Sequence, residues 1–386
     1  MRQSLLCLLL LAGVVSRAEA ALDWTPEEVA AVAAHGPWPP APVADPSNRV
    51  SGKPAAIALG RQLFDDRRLS SDGSMACADC HRFELGWRDG RARAMGRVEL
   101  DRRTPSLWNV GYQHWFGWDG AADSLWMQSL RPILEAREMA GSAQAAARLM
   151  REDKQLACGY ARAFGEAPGA ADEKVLVDVA KALAAFQQSL VTPRTAFDDF
   201  RDALVAGDGA AVQRYPAAAQ RGLKQFLRGN CAACHFGPLF SNGEFGDTGV
   251  AFFVRPGEVD SGRHGGIARL KASPFNRLGA HSDDASGQGA TRSRHVEAQH
   301  RNFGEFRVPG LRQLGRGPFM HDGSLATLED VVNHYSTVSP DRLHSDGVPL
   351  VRPLGLTPQD SADLVAFLRT LQVDVPGRAP AEAICP

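Results

Sequence analysis

One five-residue pattern occurs twice in this chain, as Cys77-Ala-Asp-Cys80-His81 and as Cys231-Ala-Ala-Cys234-His235. On a helical turn, side chains at i and i+3 share one face and the side chain at i+4 lies beside them. Two thiols at this spacing form thioethers with the two vinyl groups of a porphyrin, and the adjacent imidazole binds the iron. The pattern therefore predicts two covalently bound haems c, with His81 and His235 as proximal iron ligands.

Two other uses of paired cysteines fit the sequence less well. Zinc sites made of two such pairs usually have about 15–20 residues between them, whereas these pairs lie in different halves of the chain. A thioredoxin-like redox site needs a βαβ context, and strand patterns are rare here. Two further cysteines remain in the mature chain, Cys158 and Cys385. In an oxidising compartment they either form a disulfide or stay as two buried thiols.

Composition places the chain among ordinary soluble globular proteins. Hydrophobic residues make up 44% and charged residues 23% of its 386 residues, with a formal net charge of −1. This balance gives no electrostatic basis for binding nucleic acid or an anionic membrane. A single long apolar run, within residues 1–15, is too short to span a bilayer and is followed by Ala18-Glu19-Ala20. We therefore expect a signal peptide at 1–20, export to the periplasm and no membrane span after cleavage.

The elements around the two motifs indicate a duplicated, mainly helical architecture. Helix, Cys-x-x-Cys-His, loop and terminal helix occur twice in that order. Apolar residues at helical spacing predict the flanking helices, at 55–64, 173–190, 217–227 and 358–371. We predict an all-α fold of two cytochrome c-like haem domains with long loops, at 21–207 and 208–386. The Gly-, Ser-, Arg- and His-rich stretch 252–306 shows little periodicity, so a solvated loop is expected there.

The stretch 102–139 is the most informative about chemistry. It contains four of the seven tryptophans, and a packed aromatic core is the simplest explanation for three of them. Gln128 and Glu138 are spaced so that both side chains could face one pocket. A carboxylate above a ferric haem can take a proton from bound peroxide and return it to the leaving oxygen. The alternative for Glu138 is a solvated position on a helix surface.

Several further stretches share their pattern with a known family: Thr104-Pro-Ser-Leu, Trp118-Asp-Gly, Gln128, Arg137-Glu-Met, Val308-Pro-Gly-Leu-Arg and Phe319-Met-His-Asp-Gly-Ser. With the two haem motifs, they make the mature chain resemble the bacterial di-haem cytochrome c peroxidase and MauG superfamily. The resemblance implies that Trp118 relays electrons between the haems, that Glu138 is the acid and base for peroxide, and that Gln128 shares its pocket.

At the second haem the resemblance separates two groups of proteins. Reductively activated peroxidases have a methionine ligand fourteen residues after the histidine of a Tyr/Phe-x-His-x-Gly motif, whereas MauG-like members have a tyrosine. Counting fourteen from His321 reaches Tyr335, which we predict as the distal ligand, with His334 as a weaker candidate. An anionic phenolate favours ferric and higher oxidation states. The second haem is therefore expected to need no prior reduction.

Two more family positions differ here. The removable distal histidine of the first haem corresponds to Met95, whose ligation stays open; an open, five-coordinate iron is the favoured prediction. The calcium ion that typically lies between the haems would be held at places occupied here by Arg103, Arg316 and Pro318. A guanidinium cannot bind calcium and would repel it, so inter-haem calcium is predicted to be absent.

These features predict an exported peroxidase that reduces hydrogen peroxide at the N-terminal haem, with electrons passed through the C-terminal haem. The donor would be a small cytochrome or cupredoxin. A MauG-like enzyme, which oxidises residues of a partner protein through a high-valent di-haem state, is the first alternative. A non-enzymatic di-haem electron carrier is the second. It would need two six-coordinate irons, and the pocket of Gln128 and Glu138 argues against it.

Overall fold

The computed structural model describes residues 22–250, 253–255, 257–339, 350–375, 377 and 384–385. The predicted signal peptide, residues 1–20, lies outside the described residues. Within them, no helix is both long and apolar enough to cross a membrane.

The described chain is mostly helical, which confirms the predicted fold class. Its α-helices are α1 (Pro26–Ala33), α2 (Pro54–Asp65), α3 (Cys77–Cys80), α4 (Leu125–Leu134), α5 (Ala143–Glu152), α6 (Lys154–Phe164), α7 (Asp172–Gln188), α8 (Ala196–Ala206), α9 (Gly209–Gln213), α10 (Ala217–Arg228), α11 (Gly262–Ala272), α12 (Thr291–His295), α13 (Leu328–Thr337) and α14 (Pro358–Arg369). The strands are β1 (Phe245–Gly246), β2 (Phe253–Arg255), β3 (Glu258–Val259) and β4 (Phe306–Arg307). Antiparallel pairs join β1 to β4 and β2 to β3.

The two halves repeat one helix crossing. In the first, α2 packs against α7, and in the second, α10 packs against α14. Each crossing has a glycine at its contact point, Gly60 on α2 and Gly222 on α10. A Cβ at Gly60 would overlap the carbonyl of Ala182, and one at Gly222 would overlap the carbonyl of Asp363. The helix that precedes each Cys-x-x-Cys-His motif is thus held directly against a partner backbone.

The buried side chains form two cores that do not follow the predicted boundary at 207/208. Phe197 and Phe200, on α8, pack in the second core with α10 and α14, so by packing the second unit begins at α8. Val32, on α1, also belongs to this second core. At the other end of the chain, Ile384 and Cys385 pack in the first core. The two ends of the chain therefore cross over and connect the two units.

The expectation of a solvated loop at 252–306 is wrong for much of this stretch, because it contains α11 and α12. Ile267 and Leu270 on α11 are buried. Its glycines permit close packing: a Cβ at Gly266 would overlap the carbonyl of Asp119. The glycines of this stretch are typical of a loop, but here they belong to a helix, α11, that packs against the Trp118-Asp-Gly turn.

The open question about the remaining cysteines has a definite answer in the structure. Cys158, on α6, and Cys385 form a disulfide that links positions separated by 227 residues in sequence. Cys77, Cys80, Cys231 and Cys234 take part in no disulfide.

Candidate functional site

Each Cys-x-x-Cys-His motif opens onto its own cavity. The first cavity has a volume of about 560 Å³ and is lined by Cys77, Cys80 and His81. Trp118, Gln128 and Glu138 line the same cavity. Every catalytic residue predicted from the sequence therefore faces the first haem motif.

The second cavity has a volume of about 830 Å³ and is lined by Cys231, Cys234, His235 and Tyr335. Tyr335 lies on α13, whose first turn is capped by Thr327. The neighbouring His334 bonds through Nε2 to the carbonyl of Thr248 at 2.7 Å and does not line the cavity. The structure therefore brings Tyr335, and not His334, to the second haem motif.

Both motif histidines are oriented by a backbone carbonyl. Nδ1 of His81 is 2.9 Å from the carbonyl oxygen of Trp87. Nδ1 of His235 is 2.9 Å from the carbonyl oxygen of Phe240. Both carbonyls belong to residues with positive φ, which turn the chain back onto the imidazole. A hydrogen bond at Nδ1 fixes the ring and leaves Nε2 to bind a metal, as is usual for metal-ligating histidine.

Trp118 lines both cavities and is only 9% exposed. Its Nε1–H donates to the carbonyl of Arg103 at 2.9 Å. Its own carbonyl accepts from the backbone N–H of Arg307 in β4 at 2.8 Å. These bonds fix the indole between the two cavities, where the electron relay predicted from the sequence would have to lie.

The next residue, Asp119, joins this turn to the 252–306 stretch. Arg102 donates to Asp119 at 2.7 Å and to Asp260 through two bonds. Arg269 on α11 also contacts Asp119. Burial raises the pKa of Asp119, but Arg102, Arg269 and Arg131 together hold it below its usual range. A buried ion-pair network therefore holds the Trp118 turn, and the sequence patterns did not reveal it.

Glu138 follows α4, in a turn closed by its N–H bond to the carbonyl of Glu135 at 3.0 Å. Burial raises the pKa of the Glu138 carboxyl above its ordinary value. Arg131 and Arg137 oppose this shift, whereas Glu135 adds to it. A carboxyl that protonates more readily than usual suits a group that must both accept and deliver a proton.

Three buried arginines at the partition were not recognised as a group in the sequence. Arg103 and Arg307 line both cavities, and Arg88 lines the second. Burial lowers the pKa of each to about 10. Among the described residues, none of the three has a carboxylate within ion-pair distance, and Nε of Arg88 has no hydrogen-bond partner. Buried cations of this kind require an anion, and the carboxylates of two haems would supply it.

Two further positions differ from the family pattern, that of the distal histidine and that of the calcium ligands. Met95 is 40% exposed, and the first cavity is lined by its neighbours Ala94 and Gly96 rather than by Met95. Arg316 is exposed, whereas Arg103 lines both cavities, as Arg307 does. Guanidinium groups at this place do not fit a calcium ion.

The residues present fit two haems. Four free thiols stand in pairs beside oriented imidazoles, in cavities of the size typical for cofactors. The arginines at the partition, which have no carboxylate partner among the described residues, match the carboxylates that each haem carries. Haem would supply the iron and its redox chemistry at both sites.

Comparison with known proteins agrees with this geometry. Residues 54–204 match the family model of the di-haem cytochrome c peroxidases. The chain is 35% identical over 364 residues to the methylamine utilization protein MauG of Methylorubrum extorquens, which covers 92% of this chain and 89% of that protein. It is 33% identical over 361 residues to the cytochrome-c peroxidase IdrP1 of Denitromonas iodatirespirans, with coverage of 88% and 87%.

Among solved structures, a MauG-like protein associated with microbial copper homeostasis superimposes with a TM-score of 0.63 at 26% identity. The match covers 87% of this chain and 95% of that one. Fold, paired haem motifs and relatives along nearly the whole length agree. The chain belongs to the di-haem cytochrome c peroxidase and MauG family, a family of oxidoreductases with two haem cofactors.

Proposed function

We propose that this protein is a periplasmic peroxidase that reduces hydrogen peroxide in the first cavity. One molecule of peroxide takes up two electrons and two protons and yields two molecules of water. The electrons enter through the second cavity, from a small cytochrome or cupredoxin. The observation that carries the proposal is that Gln128 and Glu138 line the same cavity as Cys77, Cys80 and His81.

The chain's own residues have distinct tasks in this proposal. Cys77 and Cys80 attach the first haem covalently, and the bound haem supplies the iron that holds peroxide. Glu138 accepts a proton from the incoming peroxide and delivers it to the departing oxygen. Its raised pKa, caused by burial, makes the carboxylate a better proton acceptor and so favours the first half of this cycle. Gln128 lines the cavity with Glu138 and would help to hold the substrate there.

The second cavity has the complementary task. Cys231 and Cys234 would attach the second haem, and His235 and Tyr335, which line the same cavity, would hold its iron. A phenolate ligand stabilises ferric iron, so peroxide can react without prior reduction of the protein. Trp118 carries electrons across the partition that it shares with both cavities.

A MauG-like reaction, in which the oxidised protein oxidises residues of a partner protein, is the second candidate. Tyr335 in the second cavity favours it, and so does the 35% identity to a MauG protein. The two candidates share the reaction with peroxide and differ in where the two electrons originate.

The deciding experiment uses the diferric holoprotein as purified after export. One equivalent of peroxide is added, and visible and near-infrared spectra are recorded with millisecond resolution. We expect a rapid change shared by both haems. A protein that reacts only after reduction of the second haem would contradict the role given to Tyr335.

The electron source is tested in the same preparation. Reduced cytochrome c or a reduced cupredoxin should be oxidised catalytically, with two equivalents consumed for each peroxide. If neither donor is turned over while the peroxide reaction stays fast, the MauG-like alternative is favoured.

Calcium is the subject of a separate prediction. Because Arg103 lies at the partition where the family would place calcium, we expect the dialysed holoprotein to contain two iron atoms and no stoichiometric calcium. Treatment with a calcium chelator should leave the peroxide reaction unchanged. Elemental analysis that finds one tightly held calcium per chain would contradict this prediction.

A further inference from the structure

Arg131 lies in the first cavity and has no role in the chemistry described so far. It is on α4, one helical turn after Gln128, and its Nη1–H donates to Oε1 of Gln128 at 3.2 Å. It lines the cavity together with Gln128 and Glu138, and it acts electrostatically on Glu138. A guanidinium therefore stands beside the two residues predicted to handle peroxide.

The bonding of Arg131 differs from that of the cavity's other peripheral arginines. Arg102 is bound by Asp119 and Asp260, and Arg137 forms two bonds to Asp101. In the part of the chain that the structure describes, Arg131 makes no ion pair within 4.0 Å, and its bond to Gln128 is its one side-chain hydrogen bond. A guanidinium has five N–H donors, so most of its donors are left for a ligand in the cavity.

The surroundings hold Arg131 in place. The opposite face of α4 is anchored by Trp126 and Ile133, both fully buried. Across the cavity, the backbone turns at Gly117 with φ +75°, where a Cβ would lie 3.7 Å from Nη1 of Arg131. A cation already placed beside the developing charge stabilises that charge without rearrangement.

We propose that Arg131 is the anion-binding catalytic residue of the first cavity. As the O–O bond breaks, its electron pair leaves with the departing oxygen, and the guanidinium stabilises the negative charge there. Glu138 then delivers its proton to that oxygen, which becomes water. The two electrons for the remaining oxygen come from the donor protein, and two protons from solvent complete the second water. This inference rests on the proposed peroxidase function.

Ligand binding to the ferric holoprotein tests the role without turnover. Fluoride is an anion that accepts hydrogen bonds, and imidazole is a neutral ligand that also binds ferric haem iron. Dissociation constants for both are measured by optical titration of the wild type, Arg131→Gln and Arg131→Lys. We expect Arg131→Gln to weaken fluoride at least about tenfold, as for loss of a hydrogen bond to a charged group, and to change imidazole by less than about twofold. The fluoride affinity of Arg131→Lys should lie between those of the wild type and Arg131→Gln, because lysine keeps the positive charge but lacks the paired N–H donors of the guanidinium.

Arg137→Gln is the matched control, since Arg137 lines the same cavity but is already bound to Asp101. It should bind fluoride as the wild type does. The rate of the peroxide reaction should fall about a hundredfold in Arg131→Gln. Haem content, measured as the pyridine haemochrome, must be two per chain in every variant.

Two results would overturn the role of Arg131 while leaving the peroxidase intact. One is unchanged fluoride affinity in Arg131→Gln, and the other is an equal loss of fluoride and imidazole, which would indicate a purely structural role. A wild type that binds neither ligand at either ferric haem would instead contradict the open first haem, and the proposed function would fail with it.

Discussion

The two cavities are built on one framework and are lined by different chemistry. Each has a Cys-x-x-Cys-His motif, an imidazole bound to a carbonyl and a glycine at the crossing of its two helices. The first cavity is lined by charged and amide groups, among them Gln128, Arg131 and Glu138. The second shares Arg103 and Arg307 with the first but has a larger share of Leu, Val and Phe side chains in its lining. The duplicated helices fix where two haems sit, and the residues facing them decide what each can do.

This difference follows from what the two tasks require. Breaking an O–O bond needs a group that moves a proton and charges that stabilise the departing oxygen. Electron transfer needs neither, and an apolar shell keeps water from the metal and tunes its potential. A protein with both cavities can separate peroxide chemistry from electron entry. The following changes test that separation, beginning with the largest expected effect.

Replacing Glu138, the proposed acid and base of the first cavity, should have the largest effect. Glu138→Gln keeps the shape of the side chain and removes its ability to accept a proton. We expect the second-order rate constant for peroxide to fall about 10²–10⁴-fold, the usual contribution of a general acid and base. Stopped-flow spectroscopy of the diferric protein measures it.

The pH profile provides an independent signature for Glu138. Because burial raises the pKa of this carboxyl, its ionised, proton-accepting form is lost as pH falls through a value above the ordinary one. The wild-type rate should therefore decrease on the acid side, and Glu138→Gln should lose this limb. Glu135→Gln, which changes an exposed carboxylate in the same cavity, serves as the control. Equal effects of the two variants would contradict a specific role for Glu138.

Changing Tyr335, the proposed ligand in the second cavity, should alter when the protein reacts. Tyr335→Met replaces a phenolate by a thioether, which favours ferrous iron and raises the potential. We expect the diferric variant to react slowly with peroxide and to become active once the second haem is reduced. Redox titration and stopped-flow measurements follow both changes. An unaltered potential in Tyr335→Met would show that Tyr335 is not a ligand.

Trp118→Phe tests the partition between the cavities. The variant keeps an aromatic ring of lower electron-donating ability and loses the bond to the carbonyl of Arg103. We expect peroxide to be consumed at the first haem while oxidation of the second haem becomes slower. Trp115→Phe is the control, since Trp115 is buried but lines neither cavity. Similar slowing in both variants would remove Trp118 from the electron path.

The framework was more predictable than the electrostatics. Cys-x-x-Cys-His and helical periodicity located α2, α7, α10 and α14 within about two residues at most ends. The periodicity failed at α11, where glycines that permit contact with Asp119 resemble those of a loop. Packing of α8 in the second core depends on tertiary contacts, which no local pattern encodes.

In the candidate site, too, some residues could be predicted from the sequence and others could not. Gln128, Glu138 and Tyr335 followed from spacing and resemblance, and the structure places each in a cavity with a haem motif. From the sequence alone, Arg131 and Arg307 would be expected on the surface, where most arginines lie. Only the folded chain shows that they line a cavity without carboxylate partners, since charge pairing depends on residues distant in sequence.

The smallest expected effect on chemistry concerns the disulfide that holds the chain's C-terminal end on the first unit. Cys158 and Cys385 close a loop of 227 residues, and cross-links of this kind stabilise proteins by about 2–4 kcal/mol. The double variant Cys158→Ser/Cys385→Ser should lower the free energy of unfolding by that order and leave the peroxide rate unchanged, because neither residue lines a cavity. Thermal unfolding, followed by far-ultraviolet circular dichroism, measures the loss of stability. Wild type in which the disulfide has been reduced serves as a second control. Because Cys385 packs in the first core, the absorption of the first haem should change at lower temperature than that of the second. Simultaneous changes would show that the two units unfold as one body, and the difference between the cavities would then lie in their linings alone.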